Sequence, residues 1–418
     1  MDLSKKRSCF SKWFGALTPG SMRGSIFALM ATAIGAGVLS LPYVVKQSGL
    51  IVGIINLVGG SLISYTSMRL LTWACWRTKC WNYAKLISDT FGWFHGKILS
   101  WVIMIWTLGS TVPYNIIISQ TFPDILKSFG VSADIADADS TKYIQVIVMN
   151  LLLLPICLMR DLSAMASFNF MGIIAIAYFV VLIAAETPMY MNKFFTNDDL
   201  VLIDLNLSTF TGFAIAIFAY TCHTNLFAVR LELNRPIKRR LNKIFHRAVF
   251  YEMCMYLTIS VGGYLSLLHR TPKIIIQRES ILDNDWLMVV GQIAMIFNLM
   301  TCIPTSVHPW RREIYVSFLK RTSKPWEHFL ITAGGMTGTA IIATAYPNVI
   351  SAFGLLGGFC AVPIVVVYPG YIFVKLSKKS WTHPRKLILI FITTILSLIG
   401  LIAAVLSTLD LFGVVKVS

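Results

Sequence analysis

About eleven stretches of roughly 20 predominantly apolar residues run through this sequence, and no other feature limits its fold as strongly. A stretch of that length crosses the hydrocarbon core of a bilayer as an α-helix, which pairs its backbone polar groups internally. Charged residues make up 13% of the chain, about half of the roughly 25% found in soluble domains, and the mean hydropathy is +0.70. The sequence therefore predicts an all-α integral membrane protein. The predicted spans are residues 24–46, 49–74, 97–122, 142–159, 163–188, 207–229, 248–268, 286–307, 328–346, 349–375 and 386–408.

The basic residues concentrate in alternate loops, and this asymmetry predicts the topology. Lysine and arginine favour the cytoplasmic side of membrane proteins, and here they cluster in the N-terminal arm and after predicted spans 2, 6, 8 and 10. We expect a cytoplasmic arm at 1–23, a transmembrane domain at 24–408 and a short exoplasmic C-terminus at 409–418. The same distribution argues against the nucleic-acid partner that a net charge of +17 would otherwise suggest.

The first predicted span contains a glycine pair that interrupts its helix. Gly35-Ala36-Gly37 lies inside the apolar run from Ser25 to Pro42. In hydrocarbon an unwound turn leaves backbone groups without partners, so a break survives only inside protein or beside a watery cavity. Glycine adopts dihedral angles closed to other residues and lets a ligand approach the backbone. The pattern favours the broken first helix of a secondary transporter, with close helix packing through small residues as the alternative.

The sixth predicted span carries a polar cluster at its middle. Residues 220–225, with the sequence Tyr-Thr-Cys-His-Thr-Asn, interrupt an apolar helix. Polar groups at that depth face a cavity or another helix, and a single interhelical hydrogen bond, worth about 0.6 kcal/mol, needs fewer of them. Because spans 1 and 6 stand five apart, we predict a 5+5 inverted repeat in which helices 1 and 6 are both broken.

The eighth predicted span contains Pro304 and Pro309 near its cytoplasmic end, and each proline removes a backbone donor. We expect a kink there. Asn298 and Thr301 lie deeper in the span and are candidate site residues, whereas the hydroxyl of Thr305 equally suits a carbonyl group freed by a proline.

Few titratable side chains fall inside the predicted spans. Glu186 and Glu252 lie near predicted helix ends, where carboxylates reach water, so we expect no carboxylate in the middle of the bundle. His223 and His308 are then the groups placed for proton relay, with a neutral, hydrogen-bonded His223 as the alternative. The eight cysteines show no second pair at metal-ligand spacing, so we expect no metal and no other cofactor.

Four motifs, in order along the chain, resemble those of the amino acid/auxin permease family of transporters. The segment from Gly24 to Gly49 is similar to the first helix of that family. The second and third motifs are Phe218-Ala-Tyr-Thr-Cys-His and Pro304-Thr-Ser-Val-His-Pro-Trp-Arg, similar to helices 6 and 8 of the family. The fourth, similar to helix 10, consists of Phe353-Gly-Leu-Leu-Gly-Gly and Tyr368-Pro-Gly. The resemblance covers roughly residues 20–408. It implies the LeuT-type fold with eleven helices and the transport of amino acids, and we expect a monomer in the lipid bilayer.

The implied amino acid substrate allows its binding site to be predicted. We expect the N–H groups of the Gly35–Gly37 turn, at the positive end of the following half-helix, to bind the substrate carboxylate. Carbonyl groups near Ile34 and in residues 218–221 should receive the α-amino group, with Tyr220 beside the substrate side chain. The predicted substrate-binding residues are Ala33, Ile34, Gly35, Ala36, Gly37, Phe218, Tyr220 and Thr221. The predicted coupling residues are His223, Thr301 and Asn298.

Two departures from the family pattern bear on the coupling ion. Sodium-coupled members carry an asparagine in helix 1 and a threonine just before the helix 8 proline. This chain has Ala28 and Ala31 in helix 1, and Cys302 is the nearest counterpart before Pro304, with Thr301 one place off. Sodium prefers oxygen ligands, which alanine and cysteine side chains lack, although backbone carbonyl groups also supply oxygen. Sodium is disfavoured rather than excluded, and protons or the substrate gradient are the expected driving force.

These features distinguish a transporter from two other classes of protein, a sensor and an enzyme. A sensor that binds an amino acid without bulk transport would carry a long cytoplasmic tail, whereas about 23 residues precede the first span. An enzyme would need a nucleophile with its base, a metal cluster or a phosphate loop, and the sequence shows none of these. The sequence therefore predicts a secondary transporter of amino acids that works by alternating access in a plasma, vacuolar or endolysosomal membrane.

Overall fold

The computed structural model describes residues 20–159, 166–196, 199–281, 285–319, 321, 324–380 and 383–415. All regular secondary structure in these residues is helical, which confirms the predicted all-α class. The α-helices in chain order are α1 (Met22–Ala33), α2 (Gly37–Ser48), α3 (Leu50–Thr78), α4 (Tyr83–Phe91), α5 (Trp93–Gly109), α6 (Thr111–Ser128), α7 (Ala133–Ala136), α8 (Asp139–Cys157), α9 (Ala166–Phe194), α10 (Leu207–Ala219), α11 (Asn225–Glu232), α12 (Lys238–Leu267), α13 (Trp286–Glu313), α14 (Pro325–Ala345), α15 (Val349–Leu356), α16 (Tyr368–Leu376) and α17 (Pro384–Leu411).

Nine helical stretches in the described residues are long and apolar enough to cross a membrane, and the bent pair α1–α2 raises the number to ten. Helices α5 and α6 follow each other across Ser110 and form one of these stretches. Helix α10 is apolar but has only 13 residues. The chain is therefore a multi-pass integral membrane protein, as its hydropathy predicts.

Helix α12 begins earlier than the hydropathy indicates. The predicted span starts at residue 248, whereas α12 starts at Lys238 and runs for 30 residues. Its first turns carry lysine and arginine, which lower the hydropathy but have high helix propensity. As a consequence, Glu252 lies at the middle of a long helix, and the expectation that it lies near a helix end is wrong.

Helix α12 also holds a central place in the packing, because it contacts α1, α2, α3 and α9. Close contacts between helices use glycine, as is usual where small residues let backbones approach. A Cβ atom at Gly263 of α12 would lie 2.8 Å from Cγ of Pro42 in α2. This packing places α12 directly beside the helix pair α1–α2.

The stretch from Val349 to Leu376 is not a regular α-helix throughout. Between α15 and α16 the chain forms two π-helical turns, Gly357–Ala361 and Pro363–Val367. The proline lacks a backbone donor, and a Cβ atom at Gly357 would lie 2.2 Å from the carbonyl oxygen of Ala214. This stretch therefore packs its backbone closely against α10.

Candidate functional site

The first feature of the candidate site is the break between α1 and α2, where the chain bends by 58°. The N–H of Gly35 donates to the carbonyl oxygen of Ala33 at 2.9 Å, and that of Leu39 to Ala36 at 3.1 Å. Within the described residues, the N–H groups of Ala36, Gly37 and Val38 donate no hydrogen bond. All three residues are buried. These three donors at the positive end of α2 can bind an anionic group such as a carboxylate.

Gly35 and Gly37 provide space at this break rather than unusual dihedral angles. Neither residue has a positive φ, so the expectation that they adopt angles closed to other residues is wrong. A Cβ atom at Gly35 would lie 2.8 Å from the hydroxyl oxygen of Tyr114 in α6, and one at Gly37 would lie 3.2 Å from Cδ1 of Phe218 in α10. Larger residues are excluded here because the break packs directly against α6 and α10.

The second feature is the break between α10 and α11, where residues 220–224 form no regular helix. Hydrogen bonds hold this break from two sides. The hydroxyl of Ser64 in α3 donates to the carbonyl oxygen of Tyr220 at 3.0 Å. The side-chain amide of Asn225 donates to the hydroxyl oxygen of Thr32, near the end of α1. The second break is thus fixed against both α3 and the first break.

Tyr256 of α12 joins the two breaks. Its hydroxyl oxygen lies 3.1 Å from the carbonyl oxygen of Ala33 and 2.9 Å from that of Ala219, the last residues of α1 and α10. Its ring packs on Tyr220 with centroids 4.9 Å apart, and both tyrosines are fully buried. Tyr256 is absent from the predicted site, because a tyrosine inside an apolar helix gives no sequence signal of the helix ends that it contacts.

Phe218 lies in an aromatic cluster beside the first break. Its ring centroid is 4.6 Å from that of Trp106 in α5 and 4.9 Å from that of Phe353 in α15. All three side chains are buried. With Tyr114 over Gly35, these rings form an apolar wall that an amino acid side chain can contact.

The other predicted residues of the second break lie inside it. The hydroxyl of Thr221 donates to the carbonyl oxygen of Ile217 at 2.7 Å, so this side chain binds a carbonyl group in the last turn of α10. His223 is fully buried, and its imidazole lies beside the backbone of Ser64 in α3. The structure therefore brings Thr221 and His223 to the second break.

Asn298 and Thr301 lie at a different interface. Both are in α13, and the hydroxyl of Thr301 donates to the carbonyl oxygen of Asn298 at 2.7 Å. A Cβ atom at Gly172 of α9 would lie 2.3 Å from Oδ1 of Asn298 and 3.6 Å from Oγ1 of Thr301. These two side chains thus contact α9, whereas Ala33, Ala219 and Tyr220 contact Tyr256.

Glu252 and Glu186 are both buried, contrary to the expectation that they reach water. Glu252 is 0% exposed, and neither of its carboxyl oxygens has a hydrogen-bond partner in the described part of the chain. Glu186, near the end of α9, forms an ion pair with Arg278 in the segment between α12 and α13. Burial lowers the pKa of Arg278 to about 10, so its guanidinium stays charged at neutral pH.

Comparison with protein families identifies one match over nearly the whole chain. The family model described as "Transmembrane amino acid transporter protein" matches residues 18–412. The matched region includes both breaks, Tyr256 and Glu252.

Two relatives show how far the similarity extends. The chain is 23% identical over 367 residues to the "Putative sodium-coupled neutral amino acid transporter 11" of Rattus norvegicus, which is 88% of this chain and 80% of the relative. It is 26% identical over 264 residues to the "Putative amino acid transporter AAT1" of Plasmodium falciparum, 63% of this chain and 43% of the relative. The chain thus spans less than half of that second relative. Both relatives are named as transporters rather than enzymes, which confirms the expectation that this protein is not an enzyme.

Among solved structures, the crystal structure of MhsT in complex with L-phenylalanine is similar with a TM-score of 0.55 and 14% sequence identity. The similarity covers 91% of this chain and 98% of the other. At that identity it shows a shared fold, and it confirms the LeuT-type fold that the motifs imply.

Proposed function

Because this chain belongs to the transmembrane amino acid transporter family, we propose that it is a secondary transporter that moves α-amino acids across a membrane by alternating access. One observation carries the proposal: the two helix breaks face each other across the Tyr256 hydroxyl, 3.1 Å from Ala33 and 2.9 Å from Ala219. Breaks at the same depth in two half-helix pairs present N–H and C=O groups to one central position.

The chemistry of the breaks suits the two charged ends of an α-amino acid. The unpaired N–H groups of Ala36, Gly37 and Val38 bind the carboxylate at the positive end of α2. The carbonyl groups at the ends of α1 and α10, around Ala33 and Ala219, carry partial negative charge and receive the α-amino group. The aromatic wall around Phe218 contacts the substrate side chain.

The proposed architecture has eleven transmembrane helices in two inverted five-helix repeats and one further helix. The pair α1–α2 opens the first repeat and the pair α10–α11 opens the second, so the two broken helices occupy equivalent positions. The basic arm and loops favour a cytoplasmic N-terminus. We propose a monomer without a cofactor, with residues 24–408 as its transmembrane domain, in a plasma, vacuolar or endolysosomal membrane.

The driving force is a proton gradient or the gradient of the substrate itself. His223, buried at the second break, is the proton carrier that the sequence suggests. Sodium coupling is the second candidate, because the rat relative bears the name of a sodium-coupled transporter. In that case Asn298 and Thr301 would supply oxygen ligands from α13.

Uptake into proteoliposomes tests the proposal. Purified protein is reconstituted, and tritiated L-amino acids are offered with an inward proton gradient, with sodium, or with choline in place of sodium. We expect accumulation that choline leaves unchanged, and a flatter pH response in His223→Gln than in the wild type would assign the proton to His223. A sodium requirement would favour the second candidate. Saturable binding in detergent without uptake or exchange in liposomes would identify a sensor and contradict transport.

A further inference from the structure

The carboxyl group of Glu252 has no role in the proposed substrate site, yet it is the most enclosed acid described. Its side chain is 0% exposed at the middle of α12, and both Oε1 and Oε2 are without a hydrogen-bond partner among the described residues. Buried polar groups are nearly always hydrogen-bonded, and acids are almost never fully buried unless paired. An enclosed, unpaired carboxyl group therefore requires an explanation in terms of function.

Two titratable residues of the second break lie close enough to this carboxyl to interact with it. Glu252 interacts electrostatically with Tyr220 and Cys222, which lie between α10 and α11, and with Tyr256 one turn along α12. The hydroxyl group of Tyr220 is itself buried without a hydrogen-bond partner in the part of the chain described. The carboxyl group thus lies beside the tyrosine pair that connects the two breaks.

In the part of the chain that the structure describes, no cation compensates a charge on Glu252. The helices packed against α12 are α1, α2, α3 and α9, and in the described residues none of them forms an ion pair with this carboxyl. The titratable groups around it are Tyr220, Cys222 and Tyr256, with Cys254 beside Tyr220, Tyr114 beside Tyr256 and His223 in the same break. All of these side chains are neutral unless they gain or lose a proton.

We propose that Glu252 is the proton-binding site of the transport cycle, an inference that rests on the proposed function and names its coupling residue. Enclosing a charged carboxylate without a cation costs several kcal/mol, whereas enclosing the neutral acid costs far less. Glu252 therefore takes a proton from water on one side and crosses the enclosed conformation as the acid. It releases the same proton to water on the other side, where its O–H bond breaks. The carrier then returns without substrate, and in that step the carboxylate stays in contact with water that fills the empty site, so one proton moves with each substrate molecule.

Glu252 suits this role better than His223 because of the charge that each carries when it binds a proton. A protonated carboxyl is neutral and can be enclosed. A protonated imidazole is a cation, so the cost of burial falls on the state that holds the transported proton. Tyr256 supplies the connection to the substrate, since it lies one turn from Glu252 and contacts the ends of α1 and α10. Movement of either break therefore changes the enclosure of the carboxyl.

The test compares proton entry with substrate exchange in the same proteoliposomes. Pyranine inside the vesicles reports acidification after an equimolar mixture of the twenty protein L-amino acids is added outside, with the membrane potential clamped. We expect Glu252→Gln to lower substrate-induced proton entry at least about tenfold and to keep exchange of the tritiated mixture within about twofold, since glutamine cannot take up a proton. Glu232→Gln, the same substitution on an exposed carboxylate of α11, should leave both rates unchanged.

Infrared spectroscopy of the reconstituted protein gives a second readout that does not depend on transport. We expect a carboxylic acid band at neutral pH that disappears in Glu252→Gln and shifts in Glu252→Asp. If Glu252→Gln does not fold, the aspartate variant provides the assignment and should change the pH profile of proton entry.

The outcomes separate this inference from the proposed function. Proton entry in Glu252→Gln equal to the wild-type rate overturns the inference, as does amino acid uptake by the wild type without proton entry. The absence of a band assignable to Glu252 overturns it as well. If the wild type moves no amino acid at all, the proposed function fails, and the infrared measurement alone decides whether Glu252 holds its proton.

Discussion

Replacing Gly37 by valine tests whether transport requires the close contact between the two breaks. A Cβ atom at Gly37 would lie 3.2 Å from Cδ1 and 3.4 Å from Cε1 of Phe218. Carbon atoms at optimal separation are about 3.5–4.0 Å apart, so alanine already requires a shift of a few tenths of an ångström. The ring of Phe218 has little room to retreat, because it packs on Trp106 and Phe353.

Valine adds two further methyl groups at the same position, and overpacking of this kind costs about 1–3 kcal/mol. We expect this cost to fall on the conformation in which the two breaks are in contact, whose population drops about tenfold for each 1.4 kcal/mol. The uptake rate of Gly37→Val should then fall about 5- to 150-fold. The alanine variant should lie between valine and the wild type.

Uptake of the tritiated amino acid mixture is measured in proteoliposomes that contain equal amounts of inserted protein. Size-exclusion chromatography and thermal melting show whether each variant is folded. Gly334→Val is the matched control, because a Cβ atom at Gly334 of α14 has no atom of the described structure within 4 Å. Uptake by Gly37→Val at the wild-type rate would refute the reasoning, and an equal loss in Gly334→Val would assign the defect to valine itself.

Three other predictions concern the substrate and the stability of the fold. Amino acid methyl esters and decarboxylated amines should compete for uptake at least about tenfold less than the parent amino acid, because they leave the N–H groups of the first break without an anion; equal competition would argue against an α-amino acid site. Tyr256→Phe removes the hydroxyl between two buried carbonyl groups and should lower the free energy of unfolding by about 1–3 kcal/mol, so an unchanged melting temperature would contradict the bridge. Glu186→Gln leaves the buried Arg278 unpaired and should destabilise the protein by about 3–5 kcal/mol, and Glu186→Gln with Arg278→Gln should recover part of that loss.

The position of the first break could be predicted because its signal is local. A glycine pair inside an apolar run points to residues 35–37 whatever the rest of the fold does. The polar run at 220–225 is local in the same sense. The reason for the glycines at the first break differs from the predicted one. Gly35 and Gly37 have no positive φ, and glycine is required there because Tyr114 and Phe218 approach closely.

The contacts between helices could not be predicted, because no local sequence pattern indicates which helix ends contact each other. In the sequence, Tyr256 is one more aromatic residue of an apolar helix, although in the structure its hydroxyl contacts the carbonyl oxygens of both Ala33 and Ala219. The burial of Glu252 could not be predicted for a related reason. Hydropathy places the start of that span at residue 248, whereas the basic residues before it continue the helix back to Lys238.

A site built from backbone dipoles also explains why charge coupling needs a separate residue. Residues 33–37 and 218–225 contain no Asp, Glu, Lys or Arg, so in the proposed site the breaks bind a zwitterion with partial charges at helix ends rather than with ions. A zwitterion without a charged side chain adds no net charge when it binds, and its own binding therefore cannot draw on a membrane potential. In the proposed cycle, the proton on Glu252 is the single positive charge that moves with each substrate molecule. Glu252 lies one turn from the tyrosine that contacts both breaks.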